Sequence, residues 1–207
     1  RVIDVEKRET YHPFWKEVLH LGDAALLDNS LIVNQLHILQ KEIGFRFVRI
    51  RVDCREFTAG EEYSFYKEER HLDDLVDQGL CIWLYVEFRQ LTAPEQTYAY
   101  LERLFSHFAN RYSIQNVQKW RLELVYNTIF TPEKAKPYWV CRERLQAILN
   151  KYGCREPLLC AGLALGAPEA VESFCAELAR RGEEQTAQTF EVEPYLYYET
   201  DQGPVLS

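Results

Sequence analysis

Glycines end four helical segments of this chain, and an apolar run follows shortly after each of them. The four are Gly44, Gly79, Gly153 and Gly182. Glycine is the common stop signal of a helix because it adopts the left-handed conformation without steric cost. Repeated helix–strand units joined by right-handed crossovers give a parallel sheet. The sequence therefore predicts an α/β fold.

The apolar runs predict about six strands, at residues 2–5, 45–52, 80–88, 119–128, 158–165 and 189–195. The run at 80–88 is almost continuously apolar, as expected for a strand covered on both faces. A closed TIM barrel needs eight strands. We therefore expect a TIM-barrel-like parallel (β/α) array that is incomplete, forming one domain over residues 1–207 of a longer protein. No glycine-rich phosphate loop follows any run, which argues against a nucleotide-binding sheet.

Composition excludes several classes of function. A net charge of −8 argues against this segment itself binding nucleic acid through phosphates. No signal peptide and no apolar run long enough to cross a bilayer is present, so we expect no membrane association. The six cysteines show neither C-x-x-C spacing nor a nearby histidine pair. We expect buried reduced thiols, a cytoplasmic protein, and neither metal nor cofactor.

The run at 119–128 is the clearest buried strand, because its apolar residues fall on alternate positions. Thr131 and Pro132 then supply an N-cap and a first-turn residue for the next helix. In α/β barrels the corner between a strand and its helix holds the chemistry. Asn127 and Thr128 are therefore candidate site residues. The alternating apolar residues are Trp120, Leu122, Leu124 and Tyr126.

This run resembles the end of the fourth barrel strand in family 39 glycoside hydrolases, the β-xylosidase type. There the run is Trp-x-x-x-Glu-Val-Trp-Asn-Glu-Pro, and its last Glu is the general acid/base. Asn127 matches the Asn, and Thr128 stands at the position of the catalytic Glu. A threonine hydroxyl cannot act as a carboxylic acid near neutral pH. The resemblance therefore implies a glycosidase fold that has lost its chemistry, and not an enzyme.

Other segments carry the same resemblance. Residues 44–49, Gly-Phe-Arg-Phe-Val-Arg, resemble the family's second strand, and residues 63–65, Tyr-Ser-Phe, resemble its Tyr-Asn-Phe. The family's nucleophile ends a seventh strand, which the resemblance places beyond this chain, and a retaining enzyme needs both carboxylates about 5 Å apart. The departures fall at pocket positions: Arg51 replaces a His, Tyr85 replaces a Glu with Glu87 two residues later, and Glu191 replaces a His.

A recognisable framework with altered catalytic positions resembles the glycosidase-like domain at the C-terminus of AraC-type transcription regulators. Residues 11–16, Tyr-His-Pro-Phe-Trp-Lys, and the segment 35–49 carry this resemblance. That resemblance implies a sensor or assembly domain that binds a carbohydrate or another small molecule. It also implies contact with DNA only through a helix-turn-helix region elsewhere, and a homodimer as partner. Two alternatives stay open: an active family 39 hydrolase whose nucleophile lies outside this sequence, and a purely structural dimerisation module.

The candidate ligand-binding residues also have structural interpretations. Arg49 and Arg51 share one strand face and would grip a sugar hydroxyl or an anion, or pair with Glu87 or Glu123 on neighbouring strands. Glu87 and Glu123 would do acid/base work if they converged, or would balance charge inside the barrel. The full candidate set is Arg49, Arg51, Tyr85, Glu87, Asn127, Thr128 and Glu191.

Overall fold

The structure is a computed structural model of the 207-residue chain. It describes residues 14–54, 56–88, 94–127, 131, 133–163, 168–191, 197–200 and 203–206. In these ranges no helix is both long and apolar enough to cross a bilayer.

Strands and helices alternate through most of the described chain. Short 3-10 helices lie at Phe14–Lys16, Ala24–Asp28 and Glu184–Thr186. The α-helices are α1 (Ser30–Glu42), α2 (Tyr66–Asp77), α3 (Pro94–Tyr112), α4 (Ile114–Val117), α5 (Lys136–Tyr152) and α6 (Pro168–Arg180). The strands are β1 (Val18–Asp23), β2 (Phe47–Arg51), β3 (Cys81–Glu87), β4 (Arg121–Tyr126), β5 (Leu159–Leu163), β6 (Ala187–Glu191), β7 (Tyr197–Thr200) and β8 (Gly203–Leu206).

One parallel sheet organises the molecule. Its order is β1-β2-β3-β4-β5-β6, and every neighbouring pair is parallel. Within the described residues β1 and β6 do not pair, so the sheet is open. The prediction of an incomplete, TIM-barrel-like α/β array is confirmed. A separate antiparallel hairpin, β7–β8, follows the sheet.

The two faces of the sheet differ in chemistry. The helix face packs against α2, α3 and α5 and supplies most of the apolar core, with Ile82, Leu122 and Leu124 fully buried. The opposite face, which we call the inner face, carries two smaller apolar clusters, Phe47–Trp83–Leu159 and Tyr85–Val125–Ala161. Charged residues occupy the space between these clusters. The inner face therefore has both the burial and the polarity that a binding site needs.

The helix boundaries follow the signals in the sequence. Asn29 caps α1, its side chain accepting a hydrogen bond of 2.9 Å from the backbone N–H of Leu31. The four glycines predicted to end helices all have positive φ, from +65° at Gly153 to +81° at Gly79. That conformation is the one glycine adopts most readily. The prediction from these glycines is therefore confirmed.

Three differences from the predicted elements stand out. β1 was not predicted, and the strand expected at residues 2–5 lies outside the described residues. The helix expected from Pro132 begins at Lys136, although the Thr131 hydroxyl accepts a hydrogen bond from the Lys134 backbone N–H at 3.3 Å. The β7–β8 hairpin also differs from the prediction, in which the last strand ends at residue 195.

His71 gives the stability of this fold a defined pH dependence. Its ring is 4% exposed, and its Nε2 lies 2.9 Å from Asp28 Oδ1. Burial lowers the pKa of His71 below 6.5, with Arg70 and Lys67 acting in the same direction. Near pH 6.5 the His71 ring therefore takes up a proton in the unfolded chain but stays neutral in the folded chain. The free energy of unfolding should fall as the pH drops below that value, by up to about 1.4 kcal/mol per pH unit.

The measurement is urea denaturation from pH 7 to pH 5 for the wild type and for His71→Gln, which cannot titrate. The wild type should lose more stability than the variant across this window. Every other histidine is present in both proteins, so the comparison isolates His71. Parallel curves for the two proteins would contradict the prediction.

Candidate functional site at the inner face of the sheet

Arg49 on β2 and Glu123 on β4 form a buried ion pair that spans β3. Arg49 Nε lies 2.7 Å from Glu123 Oε2, and Arg49 Nη2 lies 3.2 Å from Glu123 Oε1. Trp83 on β3 donates its indole N–H to Glu123 Oε2 at 2.8 Å. The side chain of Glu123 is 2% exposed and that of Arg49 is 16% exposed. This two-point geometry is the strong form of a charge-assisted hydrogen bond.

Arg49 also contacts two rings on neighbouring strands. Its guanidinium carbon lies 3.9 Å from the centre of the Tyr85 ring, and its Nη1 lies 3.1 Å from Nδ1 of His20. The His20 and Tyr85 ring centres are 5.7 Å apart. Each of the three guanidinium nitrogens thus contacts Glu123 or His20, and the guanidinium also lies over the Tyr85 ring. These contacts fix the position of the Arg49 side chain.

The amino end of the inner face is closed. Arg121 lies over two rings there, with its guanidinium carbon 4.0 Å from the centre of Phe47 and 5.0 Å from that of Trp83. Phe47 and Trp83 are almost fully buried. Exposure rises toward the carboxyl ends of the strands, where Arg51 is about one-third exposed. We call this carboxyl end, defined by Asp23, Arg51, Glu87 and Asn127, the mouth.

A β-bulge in β1 brings Asp23 to the mouth. The register runs from His20 opposite Arg49 to Asp23 opposite Arg51, with the irregularity between His20 and Gly22. Gly22 has φ +81°, a conformation that favours glycine. Asp23 accepts a hydrogen bond of 2.9 Å from the Ala25 backbone N–H and one of 2.6 Å from Arg51. The Ala25 backbone N–H, with the Arg51 guanidinium, lowers the pKa of Asp23.

Glu87 and Asn127 form the other side of the mouth. Asn127 donates its side-chain N–H to Glu87 Oε2 at 3.3 Å, and both residues are half-buried. Thr128 lies outside the described residues. Glu191 ends β6, with its backbone opposite Leu163, and its side chain is not described. The ligand-binding roles assigned to these residues from the sequence stay predictions.

The two inner carboxylates have different partners. Glu123 bonds with Arg49 and Trp83 deep in the face, whereas Glu87 bonds with Asn127 at the mouth. Val125 stands opposite Glu87 in the sheet, and Tyr85 stands opposite Glu123. This arrangement matches the charge-balancing interpretation of Glu123. Arg51 pairs with Asp23, and not with Glu87 or Glu123 as the salt-bridge alternative expected.

Metal ligands and reactive thiols do not add to this site. No group of three His, Cys, Asp or Glu side chains in the described ranges could hold a metal ion. All six cysteines are unpaired; Cys141 and Cys160 are buried and the other four are half-buried. Burial raises the pKa of Cys154 and Cys160 to about 11, so both stay protonated near neutral pH.

Sequence reasoning missed three residues of the inner face. His20 and Asp23 belong to the unpredicted β1, and Trp83 lies in the apolar run at 80–88 although it also donates to Glu123. The Gly22-Asp23 pair was the available signal, since a glycine inside an apolar run marks a bulge. Nothing in the local sequence around Trp83 announces its indole hydrogen bond.

Comparison with known proteins gives matches among solved structures alone. No protein-family model and no curated protein matches the sequence. A monomeric β-xylosidase from Caulobacter crescentus CB15 superposes with a TM-score of 0.60 at 18% identity, over 93% of this chain and 45% of that one. A GH39 enzyme from Xanthomonas axonopodis pv. citri gives 0.60 at 16% identity, over 93% and 44%. A bacterial orthologue of human α-L-iduronidase gives 0.55 at 14% identity, over 77% and 30%.

These similarities concern the fold. The chain spans less than half the length of each of these solved chains, which fits the open sheet seen here. The identities are too low to carry over an activity. The described chain is therefore similar in its parallel (β/α) fold to the β-xylosidase and the GH39 enzyme, over a little under half of their length.

Proposed function

We propose that this chain is a glycosidase-like domain that binds a sugar, or a related small polyol, at the mouth without hydrolysing it. We further propose that it serves as a sensor domain of a bacterial AraC-type transcription regulator. The resemblance of residues 11–16 and 35–49 to that group supports the second step. Contact with DNA would then come from a helix-turn-helix region, in keeping with the charge of −8 on this segment.

The state of Glu123 is the observation that carries the non-catalytic proposal. A general acid must hold a proton for its substrate, and a nucleophile must present a free carboxylate. Glu123 is 2% exposed and is bonded to Arg49 and Trp83, so it offers neither. Thr128 supplies only a hydroxyl at the position that the resemblance assigns to the acid/base. Binding needs no proton donor of matched pKa, so neither the burial of Glu123 nor the threonine at position 128 prevents it.

The mouth supports recognition of hydroxyl groups. Asn127 offers an amide donor and acceptor, Glu87 a carboxylate acceptor, and Arg51 guanidinium donors, and all three are half-buried. A few polar groups above a buried wall of Trp83, Tyr85 and Val125 are the usual composition of a small-molecule site. The open end fits a ligand that enters from the carboxyl side of the strands.

Sugar binding is tested by thermal denaturation in the presence of pentoses, hexoses and short xylo-oligosaccharides. A ligand that binds only the folded state raises the melting temperature by mass action. At a free ligand concentration of 100 times the Kd, the free energy of unfolding rises by about 2.7 kcal/mol. We expect one sugar to give a saturable increase. Asn127→Ala should weaken that binding at least tenfold, since it removes a polar group of the mouth. Glu172→Gln, an exposed change on α6, should leave it intact.

Hydrolysis is the competing function, because two of the matched structures are described as a β-xylosidase and a GH39 enzyme. Nitrophenyl xyloside should remain uncleaved by the wild type and by Thr128→Glu. Cleavage restored in Thr128→Glu would show that a nucleophile is present and would replace our proposal. A melting temperature that no sugar changes, together with a dimer that forms equally with and without sugar, would favour a purely structural dimerisation module.

A further inference from the structure

A cavity of about 80 Å³ adjoins the mouth, on the helix face of β2. Asp23 and Arg51 line this cavity and also define the mouth, so their 2.6 Å ion pair is a wall common to both spaces. The floor of the cavity is apolar and comes from β2, β3, α2 and α3. A ligand at the mouth therefore has an apolar space beside it. The floor residues, each no more than 5% exposed, are Ile50, Leu72, Leu84 and Leu104.

The charged groups of this cavity lie at its rim. Asp53, Glu56 and Lys67 are exposed, and Lys67 Nζ lies 3.5 Å from Glu56 Oε1. Arg51 and Asp23 are about one-third exposed. A few polar groups around an apolar interior are the usual composition of a small-molecule pocket. Because the rim is exposed and the floor is buried, a ligand enters past the charged groups and reaches apolar surface.

The polar side chains deeper in the cavity bond to one another. The hydroxyls of Tyr63 and Tyr100 donate to Glu68 Oε1, at 2.8 and 2.9 Å. Oε2 of Glu68 has almost no accessible surface, so a ligand cannot reach it. Nε2 of His71 lies 2.9 Å from Asp28 Oδ1. A ligand hydroxyl at the floor would give up its hydrogen bonds to water without an equivalent replacement, whereas an apolar group has none to lose. The cavity therefore selects an apolar group.

We infer that the ligand of the mouth is a sugar with a short apolar substituent, and that this substituent occupies the cavity. The inference rests on the proposed function, because the sugar ring is the part that Arg51, Glu87 and Asn127 hold at the mouth. The substituent passes the Asp23–Arg51 ion pair and lies on the apolar floor. Since one water needs about 10–15 Å³, the cavity has room for roughly five water-sized groups, which limits an unbranched substituent to about four or five carbons.

The test is a series of methyl, n-butyl and n-hexyl β-D-xylosides, titrated into the full chain and followed by calorimetry. Each buried methylene should tighten binding about fourfold, so the n-butyl xyloside should bind at least about tenfold tighter than the methyl xyloside. The n-hexyl xyloside should bind little tighter than the n-butyl xyloside, because the cavity has no room for its last carbons. A substituent that lay on an open surface would continue to gain affinity with each added methylene.

Two variants with the same substitution locate the substituent. Ala24 lines the cavity in the 3-10 helix Ala24–Asp28. Ala24→Leu fills part of the cavity and should remove the tighter binding of the n-butyl xyloside relative to the methyl xyloside. Ala176→Leu, at an exposed position of α6, should preserve it. Asn127→Ala acts on the ring, so it should weaken the binding of all three xylosides by the same factor.

Four outcomes would overturn the inference. Equal affinity for the three xylosides would show that the substituent stays in water, and the mouth would then bind the sugar ring alone. An n-butyl preference that persists in Ala24→Leu would place the substituent elsewhere. Tight n-butyl xyloside binding that Asn127→Ala leaves unchanged would overturn both this inference and the proposed function.

The fourth outcome is the absence of saturable binding by the n-butyl xyloside. It would overturn this inference, whereas the response to the unsubstituted sugars, measured separately, decides the proposed function. If Ala24→Leu does not fold, the dependence of affinity on substituent length in the wild type still decides whether the cavity is occupied.

Discussion

Arg49→Met should lower the free energy of unfolding by about 3–5 kcal/mol, because it leaves a buried carboxylate without its cation. Glu123 would keep only the Trp83 indole as a partner, in a position that is 2% exposed. Arg46→Met is the matched control on the same segment. Arg46 pairs with Glu17 at 3.4 Å with both side chains more than half exposed, and such pairs contribute about 0–1 kcal/mol. Urea denaturation of both variants gives the comparison.

The double variant Arg49→Met/Glu123→Gln separates the ion pair from simple loss of packing. Glutamine keeps an acceptor for the Trp83 indole and removes the buried charge. Replacing a buried ion pair by neutral groups is often close to neutral, so the double variant should recover most of the stability lost in Arg49→Met. If Arg49→Met costs no more than Arg46→Met, Glu123 is not the buried, arginine-dependent carboxylate described here.

Trp120→Ala should cost a similar amount, about 3–5 kcal/mol, through the cavity that it leaves in the core. Trp120 is fully buried immediately before β4 and packs against Phe105 and Phe108, at 5.7 and 5.6 Å between ring centres. Its indole N–H also donates to Asn116 Oδ1 at 3.1 Å. Since whole domains are stable by only about 5–15 kcal/mol, the variant should be close to unfolding at physiological temperature.

Thermal and urea denaturation of Trp120→Ala test this expectation. Trp120→Phe keeps most of the ring volume and should lie between the wild type and the alanine variant. Val140→Ala, at a side chain that is 58% exposed on α5, should change stability by no more than about 0.5 kcal/mol. A Trp120→Ala protein as stable as Val140→Ala would contradict the assignment of Trp120 to the core.

The helix face of the sheet could be predicted from the sequence, because apolar residues alternate within each strand and glycines end the helices. Leu122 and Leu124 alternate along one strand, and glycines such as Gly79 and Gly153 end the helices between strands. The inner face could be predicted only in part. The sequence offered Glu87 and Glu123 equally as partners of Arg49, and the pair that forms joins residues 74 positions apart in the chain. Periodicity within one strand cannot show a contact made between strands.

The mouth depends on a β-bulge and on a contact between strands, and secondary-structure propensities predict neither. Asp23 reaches Arg51 only because one extra residue bulges β1 after His20. An acidic residue after a glycine normally indicates a turn, so the strand around it went unpredicted. The pairing of Asn127 with Glu87 joins two strands that are adjacent in the sheet and 40 positions apart in the chain. The alternation within one strand predicts the face on which a side chain lies. Only the register between strands decides which residue it contacts.

The strand order of the sheet has a consequence for synthesis. Each strand from β2 to β6 pairs with the strand that precedes it in the chain, so each of these strands has one partner that is already made. Contacts between consecutive units have short sequence separation for a parallel sheet, which lowers the entropy of loop closure. A chain leaving the ribosome can therefore dock each new helix–strand unit onto an edge that already exists. Throughout this growth the advancing edge stays unpaired until the next strand is made, and this edge is where a chaperone would protect the chain most.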